Sequence, residues 1–245
     1  MMRLLLLAGT AEARQLAAAL GSERRVSVIA SLAGATRSPR PLGVATRIGG
    51  FGGAEGFADW LKRERIDAVM DATHPFAARI SHRTAEVCDA LGLSYVQFLR
   101  PPWMPVDGDR WHFLNDESDA ARFIPAGARV FLATGRQGLE RFANLEGREL
   151  VCRQIDTPDR AFPFPNGHFM VGAPPFDVED EEVLFRRLGI DWLVAKNAGG
   201  SASRAKLDAA RHLHLPVAMI RRPLQPEGPK LQTVAAALGW VRRRL

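Results

Sequence analysis

The sequence predicts an α/β protein made of two Rossmann-like parallel-sheet domains with a ligand cleft between them. Three observations carry this. Short apolar, β-prone runs alternate with helical patterns along all 245 residues. The runs are continuous rather than alternating in polarity, so they need cover on both faces, as the strands of a parallel sheet do. One stretch, Arg100 to Trp111, holds three prolines and a glycine, which can continue neither a helix nor a central strand. The rhythm resumes after it, and the boundary is set there: an N-terminal domain over 1–100 and a C-terminal α/β domain over 101–245.

The elements follow in order. RLLLLAG from Arg3 reads as a buried strand, and TAEARQLAAAL as the helix after it. RVSVIAS from Arg25 is a second strand and VATRI from Val44 a weaker third. AEGFADWLKRER places Phe57, Trp60 and Leu61 on one helical face. DAVMDAT from Asp67 is a strand feeding the helix PFAARISHRTAEVCDALG, with Pro75 in its first turn and Gly92 at its C-terminal end. LSYVQFL from Leu93 closes the first half. In the second half, RVFLATG, ELVCRQI, HFMVGAPP, DWLVAKNAGG and PVAMIRRP read as strands. Helices are expected around Leu139 to Phe142, over VEDEEVLFRRLG, over SRAKLDAARHLHL, and over TVAAALGWVRRRL in the second domain. Acidic residues open VEDEEVLFRRLG and Arg186 and Arg187 close it, matching the helix dipole.

Composition narrows the function. No stretch approaches the ~20 apolar residues of a membrane span, and the apolar run at the start is too short for a signal peptide and enters a Gly-Thr turn rather than a cleavage site, so a cytoplasmic protein is expected. Cys88 and Cys152 form no CxxC pair, disulfide framework or zinc signature, and buried free thiols are expected. No metal site is expected. The net charge is +6, from 29 Arg and only 4 Lys among the basic residues. An Arg-rich proteome explains that bias, and so does an anionic ligand held by guanidinium forks. Nucleic acid is disfavoured: there is one Tyr, no basic-aromatic interleaving and no recognition motif.

Parallel sheets bind ligands at the carboxyl ends of their strands, and the unusual residues of this chain fall there. Gly9-Thr10 follows the first strand, where backbone can approach a phosphate at a helix N-terminus; a plain tight turn explains it as well. Ser31 to Arg37, with Gly34 and Thr36, follows the second strand. No acidic residue occurs from Ala30 to Ile48, so Ser31, Thr36 and Arg37 suit a 2′-phosphate and favour NADP over NAD; a solvated loop is the alternative. Gly49-Gly50-Phe51-Gly52-Gly53 is either a backbone platform against a flat ligand or a turn before a helix. Asp71-Ala72-Thr73-His74 ends the fourth strand, with His74 a proton donor, a phosphate donor or a cap. Lys196 ends the apolar strand DWLVA, where an unpaired charge is expensive; it is either paired or aimed at an anion. Gly199, Gly200 and Ser201 then open a second anion-friendly helix. Arg100, Arg136 and Arg222 each follow a strand end and suit a ligand with several carboxylates, or else solvate the surface.

Together AGTAEAR, SLAGAT, GGFGG, DATHPFA, RPPW, ATGR, AKNAGG with KLDAAR, and MIRRP resemble the precorrin-6A reductases of cobalamin biosynthesis, in the family's order from Gly9 to Pro223. Ala8 and Ala198 depart from the residues many members carry there, and neither change removes a charge. The resemblance implies NADPH-dependent reduction of one double bond of the precorrin-6A macrocycle to give precorrin-6B. It implies that Gly9, Thr10, Ser31, Gly34, Arg37, Gly50 and Phe51 hold NADPH, with Thr73 and His74 at the nicotinamide end. Lys196, Gly199, Gly200 and Ser201, with Arg136 and Arg222, would face the tetrapyrrole. Lys196 and His74 are the candidate proton donors, beside water and the substrate's own carboxylates. Intermediates would pass to and from other enzymes of the corrin pathway. The competing readings are a non-catalytic NADP-sensing module and an NADP-dependent reductase of a smaller substrate. The Tyr-x-x-x-Lys pair of short-chain reductases is absent: Tyr95 is followed four residues on by Leu99.

Overall fold

The computed structural model describes residues 1–34, 40–172 and 175–245. In chain order the elements are β1 (Met2–Leu7), α1 (Ala11–Gly21), β2 (Val26–Leu32), β3 (Ala45–Ile48), α2 (Gly53–Arg63), β4 (Ala68–Asp71), α3 (Ala78–Ala90) and β5 (Ser94–Phe98). The second half continues with β6 (Trp111–Leu114), β7 (Arg129–Leu132), β8 (Glu149–Gln154), β9 (Gly167–Val171), α4 (Val178–Leu188), β10 (Trp192–Lys196), α5 (Ala205–His212), β11 (Val217–Ile220), β12 (Lys230–Leu231) and α6 (Val234–Arg242). Short 3-10 turns occupy Glu117–Arg122 and Leu139–Leu145. No helix among the described residues is long and apolar enough to cross a membrane.

Two six-stranded sheets result, in the orders β12-β5-β4-β1-β2-β3 and β6-β11-β10-β7-β8-β9. Every pairing between neighbours is parallel. The orders are the same path walked twice. From β1 the chain steps outward through β2 and β3, then returns to the other side of β1 for β4 and β5; β7 to β11 repeat this. Each sheet therefore has one switch point, between β1 and β4 in the first and between β7 and β10 in the second, which is where open α/β sheets take ligands.

The strand composition follows from this layering. Leu4 and Leu6 of β1 face a core with Leu16 and Leu20 of α1 and Trp240 and Val241 of α6. Leu5 and Leu7 face the opposite core with Phe57 and Leu61 of α2 and Val87 and Cys88 of α3. A four-leucine run is what a strand covered on both sides requires. In the second sheet, Phe131, Leu193 and Met219 pack with Phe185 of α4 and Leu207 of α5.

The chain divides into two compact units, Met1–Pro101 with Pro223–Leu245, and Pro102–Arg222. This corrects the expected extent of the second domain: residues 223–245 belong with the first unit. β12 extends the first sheet beside β5, with Lys230 opposite Gln97, and Trp240 of α6 joins the α1 core. β6, which starts at the last residue of the stretch read as a boundary and was not expected as a strand, pairs with β11 at the edge of the second sheet. Two further expectations shift. Pro75 lies in the turn before α3, which opens at Ala78. A turn over residues 201–204 separates Gly199-Gly200 from α5, which opens at Ala205.

Candidate functional site

In the first unit the switch point is flanked by Gly9-Thr10 and by Asp71 to His74. Gly9 has φ +135 and nothing within 4 Å of where a Cβ would stand, so the chain turns there over open space. Thr10 is the N-cap of α1: its hydroxyl accepts from the Ala13 N–H at 3.1 Å and donates to the Ala72 carbonyl at 2.9 Å. One side chain thus starts the helix and ties the two switch-point loops together. Glu12, in the first turn of α1, is neutralised by Arg100 at 2.5 Å. That pairing offsets a negative charge at the helix end otherwise suited to anions.

The ends of β2 and β3 are organised by Arg47. Its guanidinium donates to Ser31 Oγ at 2.8 Å, to the Gly49 carbonyl at 2.9 Å and to the Gly50 carbonyl at 2.8 Å. It also lies 3.8 Å from the centroid of the Phe51 ring, and that ring packs against Phe57 and Trp60. Gly56 of α2 allows the Phe51 carbonyl to come close, since a Cβ there would stand 2.1 Å from its oxygen. The expected platform is therefore a braced loop, with Gly50 exposed and Phe51 half-buried. Gly34 is exposed with φ +80. Thr36 and Arg37 lie outside the described residues.

At the end of β4, Asp71 is fully buried. Its Oδ1 accepts from the Thr73 N–H at 3.0 Å and the Thr73 hydroxyl at 2.7 Å, and its Oδ2 from the Tyr95 hydroxyl at 3.2 Å. Burial, first, and the Asp71 charge push the Tyr95 phenol well above its usual range. His74 is exposed, and its Nδ1 accepts from the Phe76 N–H at 3.2 Å. That bond makes His74 a brace of its own turn, with the proton of the neutral ring on Nε2.

In the second unit the switch point is flanked by Thr134 to Arg136 and by Lys196 to Ser201. Lys196 is mostly buried, with Nζ 3.8 Å from Glu117 Oε1. Burial lowers its pKa, and Glu117 opposes the shift. Glu117 also meets Arg141 at 3.4 Å. Asn197 is buried, accepting from the Trp103 N–H at 2.8 Å and donating to the Trp103 carbonyl at 3.0 Å. The Trp103 indole N–H donates to the Gly200 carbonyl at 2.7 Å, and Lys206 Nζ stands 5.3 Å from the ring. Arg222 donates to the carbonyls of Asn197 and Ala198, both at 2.8 Å. Trp103, Asn197, Gly200, Lys206 and Arg222, one or two from each of the motifs RPPW, AKNAGG, KLDAAR and MIRRP, therefore meet in one braced cluster of the second unit. Arg136 pairs with Asp159 at 3.1 Å beside an open groove of about 550 Å³ that Gly138, Glu140 and Arg160 also line.

The family described as precorrin-6x reductase, CbiJ/CobK, matches residues 3–242. The chain belongs to that family. A precorrin-6A reductase of Rhodococcus erythropolis is 48% identical over 244 residues, covering 98% of each chain. A solved structure of CobK precorrin-6A reductase superposes with a TM-score of 0.93 at 40% identity, covering 99% of this chain and 97% of that one. A cobalt-precorrin-6A reductase of Priestia megaterium is more distant, at 26% identity over 235 residues and 90% of each chain.

In this member of the precorrin-6x reductase family, the structure gathers Gly9, Thr10, Thr73 and His74 at one switch point, and Ser31, Gly50 and Phe51 around Arg47. Gly199, Gly200 and Arg222 join the loop after Lys196, where Arg222 acts on backbone carbonyls; Ser201 is exposed in the turn that follows. Arg47 and Glu117 were not singled out from the sequence, and Asp71 and Trp103 stood within DATHPFA and RPPW with no role of their own. For Asp71 a signal existed: it ends a buried apolar strand just as Lys196 does, and the same cost of burial applies. Arg47 in the short strand ATRI carries no such mark. Among the described residues no group of three or more His, Cys, Asp or Glu is placed to hold a metal.

Proposed function

We propose that this chain reduces one double bond of precorrin-6A with NADPH, giving precorrin-6B, as a cytoplasmic enzyme of the corrin part of cobalamin biosynthesis. The observation that carries the reading is family membership over residues 3–242. The first unit fits the nucleotide. Gly9 and the capped N-terminus of α1 suit a pyrophosphate. The end of β2 lacks the acidic residue that selects NAD, and the Arg47 guanidinium stands beside Ser31 instead. Gly9, Thr10, Ser31, Gly34, Gly50 and Phe51 would hold the cofactor, with Arg37 beyond the described residues, and Thr73 and His74 would meet its nicotinamide.

When bound, NADPH supplies a hydride to one carbon of the double bond, and the adjacent carbon takes a proton. The chain's own work is to orient the two molecules and to hold charge. Lys196 and His74 are its candidate proton donors, beside water and the substrate's own carboxylates; to carry a second ring proton His74 would give up the bond its Nδ1 accepts from the Phe76 N–H. The strand ends of the second unit, with Lys196, Arg136, Gly199, Gly200, Ser201 and Arg222, would face the tetrapyrrole carboxylates. The greater likeness to the relative named for precorrin-6A than to the one named for cobalt-precorrin-6A supports the cobalt-free macrocycle. Hand-over of intermediates to neighbouring corrin enzymes belongs to the same reading. The test is to mix the purified protein with NADPH and precorrin-6A and follow nucleotide absorbance. Tetrapyrrole-dependent oxidation supports the proposal; tight NADPH binding without it would favour a sensor.

A further inference from the structure

Asp71 has no part in the reaction just described, yet it is the most deeply buried carboxyl group at either switch point. Its contacts set the direction of a hydrogen-bond chain. Oδ1 already accepts from the Thr73 N–H, so it presents lone pairs to the Thr73 hydroxyl 2.7 Å away. A carboxylate only accepts, so the Thr73 hydrogen is committed inward. Behind it, Ser81 Oγ lies 3.4 Å from Thr73 Oγ1, and Gln97 Nε2 is 3.5 Å from Ser81 Oγ. With the amide donating at one end and the carboxylate accepting at the other, every member points the same way.

Thr73 is only half-buried, and an oxygen whose hydrogen is committed still offers a lone pair. We infer that Asp71 is a positioning residue that turns Thr73 into an obligate hydrogen-bond acceptor for the carboxamide N–H of the nicotinamide. The sheet order places it there. A dinucleotide with its pyrophosphate at Gly9-Thr10 and its adenosine ribose at the end of β2 continues across β1 to β4, on the other side of the switch point. Thr10 already bonds to Ala72, beside Thr73. The inference rests on the NADPH reading and adds to it the atom that recognises the carboxamide.

The test compares two nucleotides by calorimetry: NADP⁺, and 3-acetylpyridine adenine dinucleotide phosphate, in which a methyl ketone replaces the carboxamide and no N–H remains. Loss of one hydrogen bond predicts that the native protein prefers NADP⁺ by roughly five- to tenfold. Thr73→Val brings the ratio near one, and Thr73→Ser keeps it. Asp71→Ala frees the hydroxyl to rotate and also lowers the ratio. Asp71→Asn retains it, because the amide oxygen accepts from Thr73 while the amide N–H₂ turns to Tyr95. Thr73→Val is the decisive variant if Asp71→Ala does not fold. A preference that survives Thr73→Val or a folded Asp71→Ala protein, or one absent from the native protein, overturns the inference while leaving NADPH binding intact. Failure of the native protein to bind either nucleotide overturns both readings.

Discussion

The guanidinium of Arg47 lies flat enough on Phe51 to approach its ring centroid to 3.8 Å while bonding to Ser31 Oγ at 2.8 Å. One side chain therefore fixes the end of β2 and the glycine loop after β3. Arg47→Ala removes three hydrogen bonds and the stacking contact together. The expected result is about tenfold weaker NADPH binding, from loss of roughly 1–2 kcal/mol of preorganisation, with turnover at saturating NADPH close to native. Arg47→Lys is expected to restore little, because an ammonium lacks the planar fork. Steady-state kinetics over a range of NADPH concentrations check this.

The exchanged ends of the two sequence halves give a second prediction. Residues 1–101 expressed alone lack β12 and α6, leaving β5 as an open edge and uncovering the α1 face that Trp240 and Val241 bury. That fragment is expected to lose cooperative thermal unfolding. Residues 1–101 joined by a flexible linker to 223–245 are expected to recover it. Calorimetry on the two proteins distinguishes this from a domain that ends at residue 100.

Much of this was legible in the sequence, and what was missed has physical reasons. RLLLLAG could be read because a strand covered on both faces has only one composition. β12 could not, because two residues after a Pro- and Gly-rich stretch have no periodicity. β6 was hidden by the prolines before it. At the site, Gly9 and Lys196 announced themselves by conformational freedom and by a charge ending an apolar strand. The braces did not: Arg47 acts through backbone carbonyls and Trp103 through Asn197 and Gly200, partners that only folding brings together. Arg222 and Arg136 were read as ligand groups, and the structure gives each a protein partner as well.

The thiols provide a third test. Burial pushes both Cys88 and Cys152 up to about 12, so neither is expected to react with a disulfide reagent at pH 8 in the native protein, while both react after unfolding. Because the folded value is raised, the stability this contributes is present below the unfolded thiol pKa of about 8.5 and is lost as pH rises toward 12. Urea melts of Cys88→Ala and Cys152→Ala are expected to show a shallower alkaline decline than the native protein.

Lys196 sets a fourth. Its lowered pKa, from burial, means that its proton-bearing form disappears below the usual lysine range. If it donates the proton, kcat/KM falls as pH rises through that value. Glu117 holds the value up, so Glu117→Gln is expected to move the fall to lower pH. Lys196→Ala is expected to slow turnover at least tenfold and remove the fall, with NADPH affinity unchanged. Native pH dependence in Lys196→Ala would take Lys196 out of the reaction.

The most direct measurement of the central claim follows the hydride itself. The protein is supplied with precorrin-6A and NADPH carrying deuterium on one face of C4, and the product is read by mass spectrometry and NMR. One stereoisomer of the labelled nucleotide is expected to deliver its deuterium to a single ring carbon of the reduced macrocycle, with the neighbouring carbon taking hydrogen from solvent. Reduced macrocycle without deuterium from either stereoisomer, or labelled nucleotide left unconsumed beside unchanged precorrin-6A, would contradict the account.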